Sequence, residues 1–169
     1  ISTVSGQLAR DRTKMAKSEF LNHYGHLRPG TYDILSPRYD DSPELYFDWD
    51  HPPPEPEPTN PFSFTLPQMR ELTKLLDLHN LHSDPGEWFD FLESGIELRE
   101  SAKFRFTRNL SDVLELIAKF GGAFGFSRDD LAYCDINVFK EMHITADNPK
   151  EVILRSIEEG KSRYEDCLS

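Results

Sequence analysis

The chain has 169 residues and carries 19 Lys and Arg against 30 Asp and Glu, for a formal net charge of -11. Hydrophobic residues make up 37% and charged residues 29%, a composition that supports one folded domain of residues 1–169 and excludes a disordered chain. The acidic balance argues against nucleic acid as a partner, although a local cationic pocket is compatible with it.

Taken in chain order, residues 1–24 read as a helix. Ser2 or Ser5 can cap it, and Leu8, Met15, Phe20 and Leu21 supply apolar positions. Pro29 and Gly30 stop it, and residues 25–65 read as loop. Within that loop, "DWDHPPPEPEPTNP" (48–61) holds six prolines and reads as an extended spacer. Residues 66–169 return to helical patterns. Thr65, followed by Pro67, marks a helix start, with Leu72, Leu75, Leu76 and Leu81 as its apolar face.

From about Pro85 to Gly121 the pattern is one long helix or two nearly continuous ones, ended by the glycines of "GGAFGF". Ser127 and Asp130 form a capping-box pattern for a short helix. Asn148 and Pro149 start the last one. No strand alternation or internal repeat stands out. The expected fold is all-α, an irregular helical domain with one long Pro-rich loop.

The long helix carries the sharpest signal. At about 100° per residue, with Leu92 set at zero, Ile96, Phe106, Leu110, Leu114 and Ile117 all fall within about 40° of it. Arg99 and Lys103 fall within about 20° of the same line, whereas Arg105 and Arg108 lie opposite. The stripe is expected to be buried, so both cations call for anionic partners. An internal salt bridge to a carboxylate such as Asp33 or Glu100 is one explanation. A cationic patch awaiting a phosphate or carboxylate ligand is the other. The spacing leaves both open.

Other motifs are weak. The His23/His26 and His79/His82 pairs lack the companions of a metal site, and no metal is expected. His79 and His82 fit a helix C-terminus better. There is no Walker loop, GxGxxG, GxSxG or CxxC pair. Two cysteines, Cys134 and Cys167, argue against a disulfide framework and for a cytoplasmic setting. No apolar run approaches the roughly 20 residues that span a bilayer, so no membrane partner is expected.

The stretch "FLNHYGHLRPGTYDILSPRYDDSP" (20–43) resembles the "FLxxYGHRxPGExDxxxPRW" segment of the phosphoenolpyruvate-synthase-like phosphotransferases, the group that includes rifampicin phosphotransferase and L-glutamine kinase. "ELRESAKFRFTRNLSDVLELIAKFGGAFGFSRDDLAYCDI" (97–136) resembles the helical "RExxK" segment of the same proteins. Together the two segments cover 64 of the 169 residues, in family order. Two departures stand out. Thr31 replaces a frequent carboxylate, and Arg28 sits one place later than the family's arginine. The form "YGHLRPGTYDI" is closer to the glutamine-kinase-like branch.

The resemblance implies a central acceptor-binding domain, with the chain a piece of a larger enzyme. A flanking domain would bind ATP with Mg. Another would carry the phosphohistidine that delivers the phosphoryl group to a small-molecule acceptor, such as the amide L-glutamine. It implies a site between the long helix and the Tyr24–Arg38 loop. There Arg99, Lys103, Arg28 and Arg38 would bind phosphoryl or carboxylate oxygens, Tyr24 would line the pocket, and His26 or Glu100 would take the acceptor's proton. The piece alone would not turn over and would hold no cofactor. The alternative is a non-catalytic helical scaffold or binding module linking the flanking domains.

Overall fold

A computed structural model describes residues 3–51, 54, 63–81, 83–142 and 148–168. Among them the chain is all-α, with eight helices and no strand. These are α1 (Val4–Lys14), α2 (Lys17–Tyr24), α3 (Pro43–Tyr46), α4 (Leu66–Leu78), α5 (Pro85–Ala123), α6 (Arg128–Leu131), α7 (Asn137–Glu141) and α8 (Pro149–Leu168). Most of the Pro-rich stretch lies outside the described residues, as do Ser2 and His82.

Local chemistry accounts for the helix ends. The hydroxyl of Thr3 accepts from the Gly6 amide and caps α1. The helix expected over 1–24 is interrupted because Met15 is extended (φ -93°, ψ 148°), which separates α1 from α2. Thr65 and Gln68 form a capping box at α4, and Ser127 and Asp130 form another at α6. Asn148 accepts from the Lys150 amide at the start of α8. At the end of α4, His79 is the C-cap and Asn80 turns left-handed (φ 57°), so that the Leu81 amide reaches back to the Leu76 carbonyl. Gly125 (φ 88°) plays the same part after α5, with Phe126 N–H donating to Gly121 O.

The chain divides into two compact units, Ile1–Phe20 with Phe47–Phe106 and Leu21–Tyr46 with Thr107–Ser169. In the first, the Arg12 side chain is buried. Its Nη2 donates to the Asp48 carbonyl at 2.6 Å. Its guanidinium lies 3.9 Å from the centre of the Trp49 ring, a cation–π contact. Phe20 meets Phe47 and Trp49 edge-on, with ring centres 5.2 and 5.8 Å apart. The second unit holds the aliphatic core. Ile34, Leu114, Leu131, Ile153 and Ile157 are buried together, flanked by Phe124, Phe126, Val138 and Phe139. Close approach there depends on Gly160, where a methyl group would collide with the Tyr133 carbonyl.

The apolar stripe of α5 divides at the boundary between the units. Leu114 is buried and Leu110 and Ile117 are half-buried, as the helical wheel predicts. Leu92, Ile96 and Phe106 instead remain 42%, 37% and 56% exposed. Arg99 and Lys103 lie in this uncovered half and are exposed. The expectation that they are buried cations is therefore corrected. An apolar line on a helix marks a face that can be covered, and no element covers this one among the described residues.

Candidate functional site

The 24–41 loop folds back on itself and docks on the second half of α5. Leu27 O accepts from the Tyr39 amide (2.9 Å), and Gly25 O accepts from the Asp40 amide (3.1 Å). Gly30 makes the tight turn after Pro29 with φ 68°, a left-handed conformation that favours glycine. Asp33 closes the next turn. Its carboxylate accepts from the Leu35 amide (2.9 Å) and the Ser36 hydroxyl (2.6 Å). The Ser36 hydroxyl and the Leu35 amide hold the Asp33 carboxyl below the usual carboxylate range.

Arg28 is the centre of the loop, with only 1% of its side chain exposed. Nη1 donates to the carbonyls of Asp33 (3.3 Å) and Ser36 (3.2 Å). Nη2 donates to Ser111 Oγ (3.0 Å) and Glu115 Oε1 (2.9 Å). The other oxygen of Glu115 accepts from Arg128 Nη2 at 2.7 Å, and Arg128 Nη1 donates to Ile34 O at 3.0 Å. One carboxylate thus bridges two guanidiniums from two parts of the chain. Burial raises the Glu115 pKa, but hydrogen bonds and charge from Arg128 and Arg28 outweigh it, so the group stays below its ordinary range.

Arg38 forms a second tie. It grips Asp40 with Nε and Nη2 (2.9 and 2.7 Å) and donates from Nη1 to Asp112 at 2.7 Å. Burial works against its charge, but Asp40 and Asp112 more than restore it and the pKa is raised. Arg108 adds a bond from Nη2 to His23 O at 3.1 Å. Ser111 and Asp112 each stand three or four residues from both Arg108 and Glu115 along α5, so the four present one face to the loop.

The site residues expected from sequence fall into two groups. Tyr24, His26, Arg28 and Arg38 belong to the second unit. Arg99, Glu100 and Lys103 belong to the first. Tyr24 and His26 are buried, at 1% and 4% exposure, with Tyr24 edge-on to His23 at 4.5 Å. Arg28 and Arg38 are taken up by carboxylates and carbonyls of the chain itself. Arg99 and Lys103 point outward and make no ion pair among the described residues, while Glu100 is half-buried beside them.

Sequence reasoning did not anticipate Ser111, Asp112, Glu115 and Arg128. Their only signal is the periodic spacing of polar groups on α5 beside a loop rich in arginine. Among the described residues, no group of three or more His, Cys, Asp or Glu could hold a metal ion. No described helix is long and apolar enough to cross a membrane. Cys134 and Cys167 are both free. No family model matches the chain, and neither do any curated protein or solved structure.

Proposed function

We propose that the chain is the acceptor-binding helical domain of a phosphoenolpyruvate-synthase-like phosphotransferase. In this reading a flanking domain binds ATP with Mg and another carries the phosphohistidine. The observation that carries it is the contrast between two sets of cations. Arg28 and Arg38 are consumed inside the fold, whereas Arg99 and Lys103 stand exposed one turn apart with no carboxylate partner among the described residues.

Around the helix axis, Lys103 lies about 40° from Arg99 and Glu100 about 60° further on. Two donors of fixed positive charge therefore sit next to one carboxylate. The cations bind phosphoryl or acceptor-carboxylate oxygens, Arg as a planar fork and Lys as a point charge. Glu100 takes the proton released by the acceptor as the phosphorus–nitrogen bond of the phosphohistidine breaks and the bond to the acceptor forms. Phosphoryl transfer asks chiefly for positioning and charge compensation, which such a group supplies. His26 is too enclosed to meet an acceptor directly. Arg28, Arg38 and Tyr24 act as the rigid support of the loop. L-glutamine is the first acceptor to test, given the form of the 24–34 segment.

The experiment is to follow the two half-reactions separately, ATP-dependent labelling of the phosphohistidine and passage of the label to the acceptor. A second reading, a non-catalytic scaffold between flanking domains, is favoured by the engagement of Arg28 and Arg38 with carboxylates and carbonyls of the chain itself. It expects both half-reactions to be indifferent to Arg99 and Lys103.

A further inference from the structure

The first half of α5 exposes large apolar side chains on the face opposite the one that α5 buries further along, and its charges are segregated. Phe91 is 69% and Leu98 72% exposed. From Pro85 to Leu98 there are four carboxylates (Glu87, Asp90, Glu93, Glu97) and no Lys or Arg. From Arg99 to Phe106 there are three cations (Arg99, Lys103, Arg105) and one carboxylate, Glu100. Of these charges Glu87 and Arg105 flank the outward seam, and that order, acid before base, repels a parallel copy and attracts an antiparallel one.

We infer that α5 is the interface of an antiparallel homodimer, in which the outward seam of residues 88–105 of one copy packs against the same seam of the other and leaves Arg99, Glu100 and Lys103 to its side. Half-buried Trp88 and exposed Phe91, Gly95, Leu98, Ala102 and Arg105 recur at steps of three and four and form one seam. Place a two-fold axis between Ile96 and Glu97. Gly95 then faces the partner's Leu98, and Ala102 faces the partner's Phe91. Large side chains enter gaps left by small ones at every central layer. A methyl group added at Gly95 would meet nothing within 4 Å in the single chain, so that gap is open for a partner. At each end the pairing sets Trp88 and Glu87 against the partner's Arg105, a cation–π contact and an ion pair on one guanidinium. A parallel arrangement instead sets Glu87 on Glu87 and Arg105 on Arg105. The same surface pairs with itself, as a two-fold interface requires.

The test is sedimentation equilibrium of the 169-residue chain over a micromolar concentration series. The expected result is a mass rising to twice 19.6 kDa. Leu98→Glu, at an exposed position, should keep the helical circular dichroism and weaken association at least about tenfold. Orientation is read by cross-linking in a Cys134→Ser/Cys167→Ser background. A mixture of Phe91→Cys and Ala102→Cys chains should form a disulfide between the two variants, and neither variant alone should. A monomer throughout, an unaffected Leu98→Glu dimer, or self-cross-linking of each single variant would each overturn the proposal.

Discussion

Arg28 and Glu115 meet at 2.9 Å across 87 positions of sequence. The contact fixes a loop rich in prolines, glycines and charge onto the second half of a 39-residue helix. The guanidinium is enclosed and its partner nearly so, which makes the pair costly to break from one side.

Arg28→Ala should therefore destabilise the second unit by about 3 kcal/mol. It leaves the carbonyls of Asp33 and Ser36 and one oxygen of Glu115 without their donor. Urea titration followed by circular dichroism measures the loss. Arg28→Lys should recover only part of it, because one ammonium cannot reproduce four acceptors spread around a planar fork. A loss below about 0.5 kcal/mol, the level of an ordinary surface change, would show that the tie contributes nothing.

Acid should loosen the same region. The folded-state pKa of Glu115 lies below its ordinary value of 4.5, so its contribution is present above that value and is lost as pH falls through the folded one. Asp33 is shifted in the same direction by Ser36 and Leu35. Urea midpoints should thus fall on acidification below pH 4.5. Glu115→Gln should start less stable at neutral pH and lose less on the way down. Parallel profiles for the two proteins would contradict this assignment.

Gly25→Ala and Gly122→Ala should change stability in opposite directions. A methyl group on Gly25 would meet the Leu21 carbonyl and lie 2.8 Å from Asp40 Cβ, in the place where the loop closes. The cost should be about 1–3 kcal/mol. Gly122 is exposed within α5 and a methyl there meets nothing within 4 Å, so alanine should gain about 0.5–1 kcal/mol from helix propensity alone. Thermal melts of the two variants make the comparison.

Much of the fold was legible in short windows because its causes are local. Thr65 with Pro67, Ser127 with Asp130 and Asn148 with Pro149 each specify a helix start within a few residues. The end of α5 at Gly125 is equally local, since a left-handed residue is needed there. Burial was not legible in the same way. The periodicity that aligned Leu92 with Leu114 identifies an apolar line, and only the tertiary fold decides which stretch of it is covered. The partner of Arg28 was hidden for a related reason. Glu115 is one acidic residue among many, and only chain closure over 87 positions selects it.

Arg99→Ala and Lys103→Ala lie at exposed positions and should each change stability by less than about 0.5 kcal/mol. On the proposed function, a loss of transfer in these variants is then a loss of contact with a ligand. A urea midpoint clearly below that of the parent chain would instead tie these side chains to the fold.

The most direct test places the double variant Arg99→Ala/Lys103→Ala in the larger enzyme that the proposed function calls for, with an ATP-binding and a phosphohistidine domain beside this one. Labelled ATP reports histidine phosphorylation, and chase with L-glutamine and other small amides reports transfer. The proposed function predicts unchanged labelling of the histidine and a loss of transfer of at least about 100-fold, the scale of removing charge stabilisation from a transition state. Transfer at the unmodified rate would contradict it and leave the scaffold reading in its place.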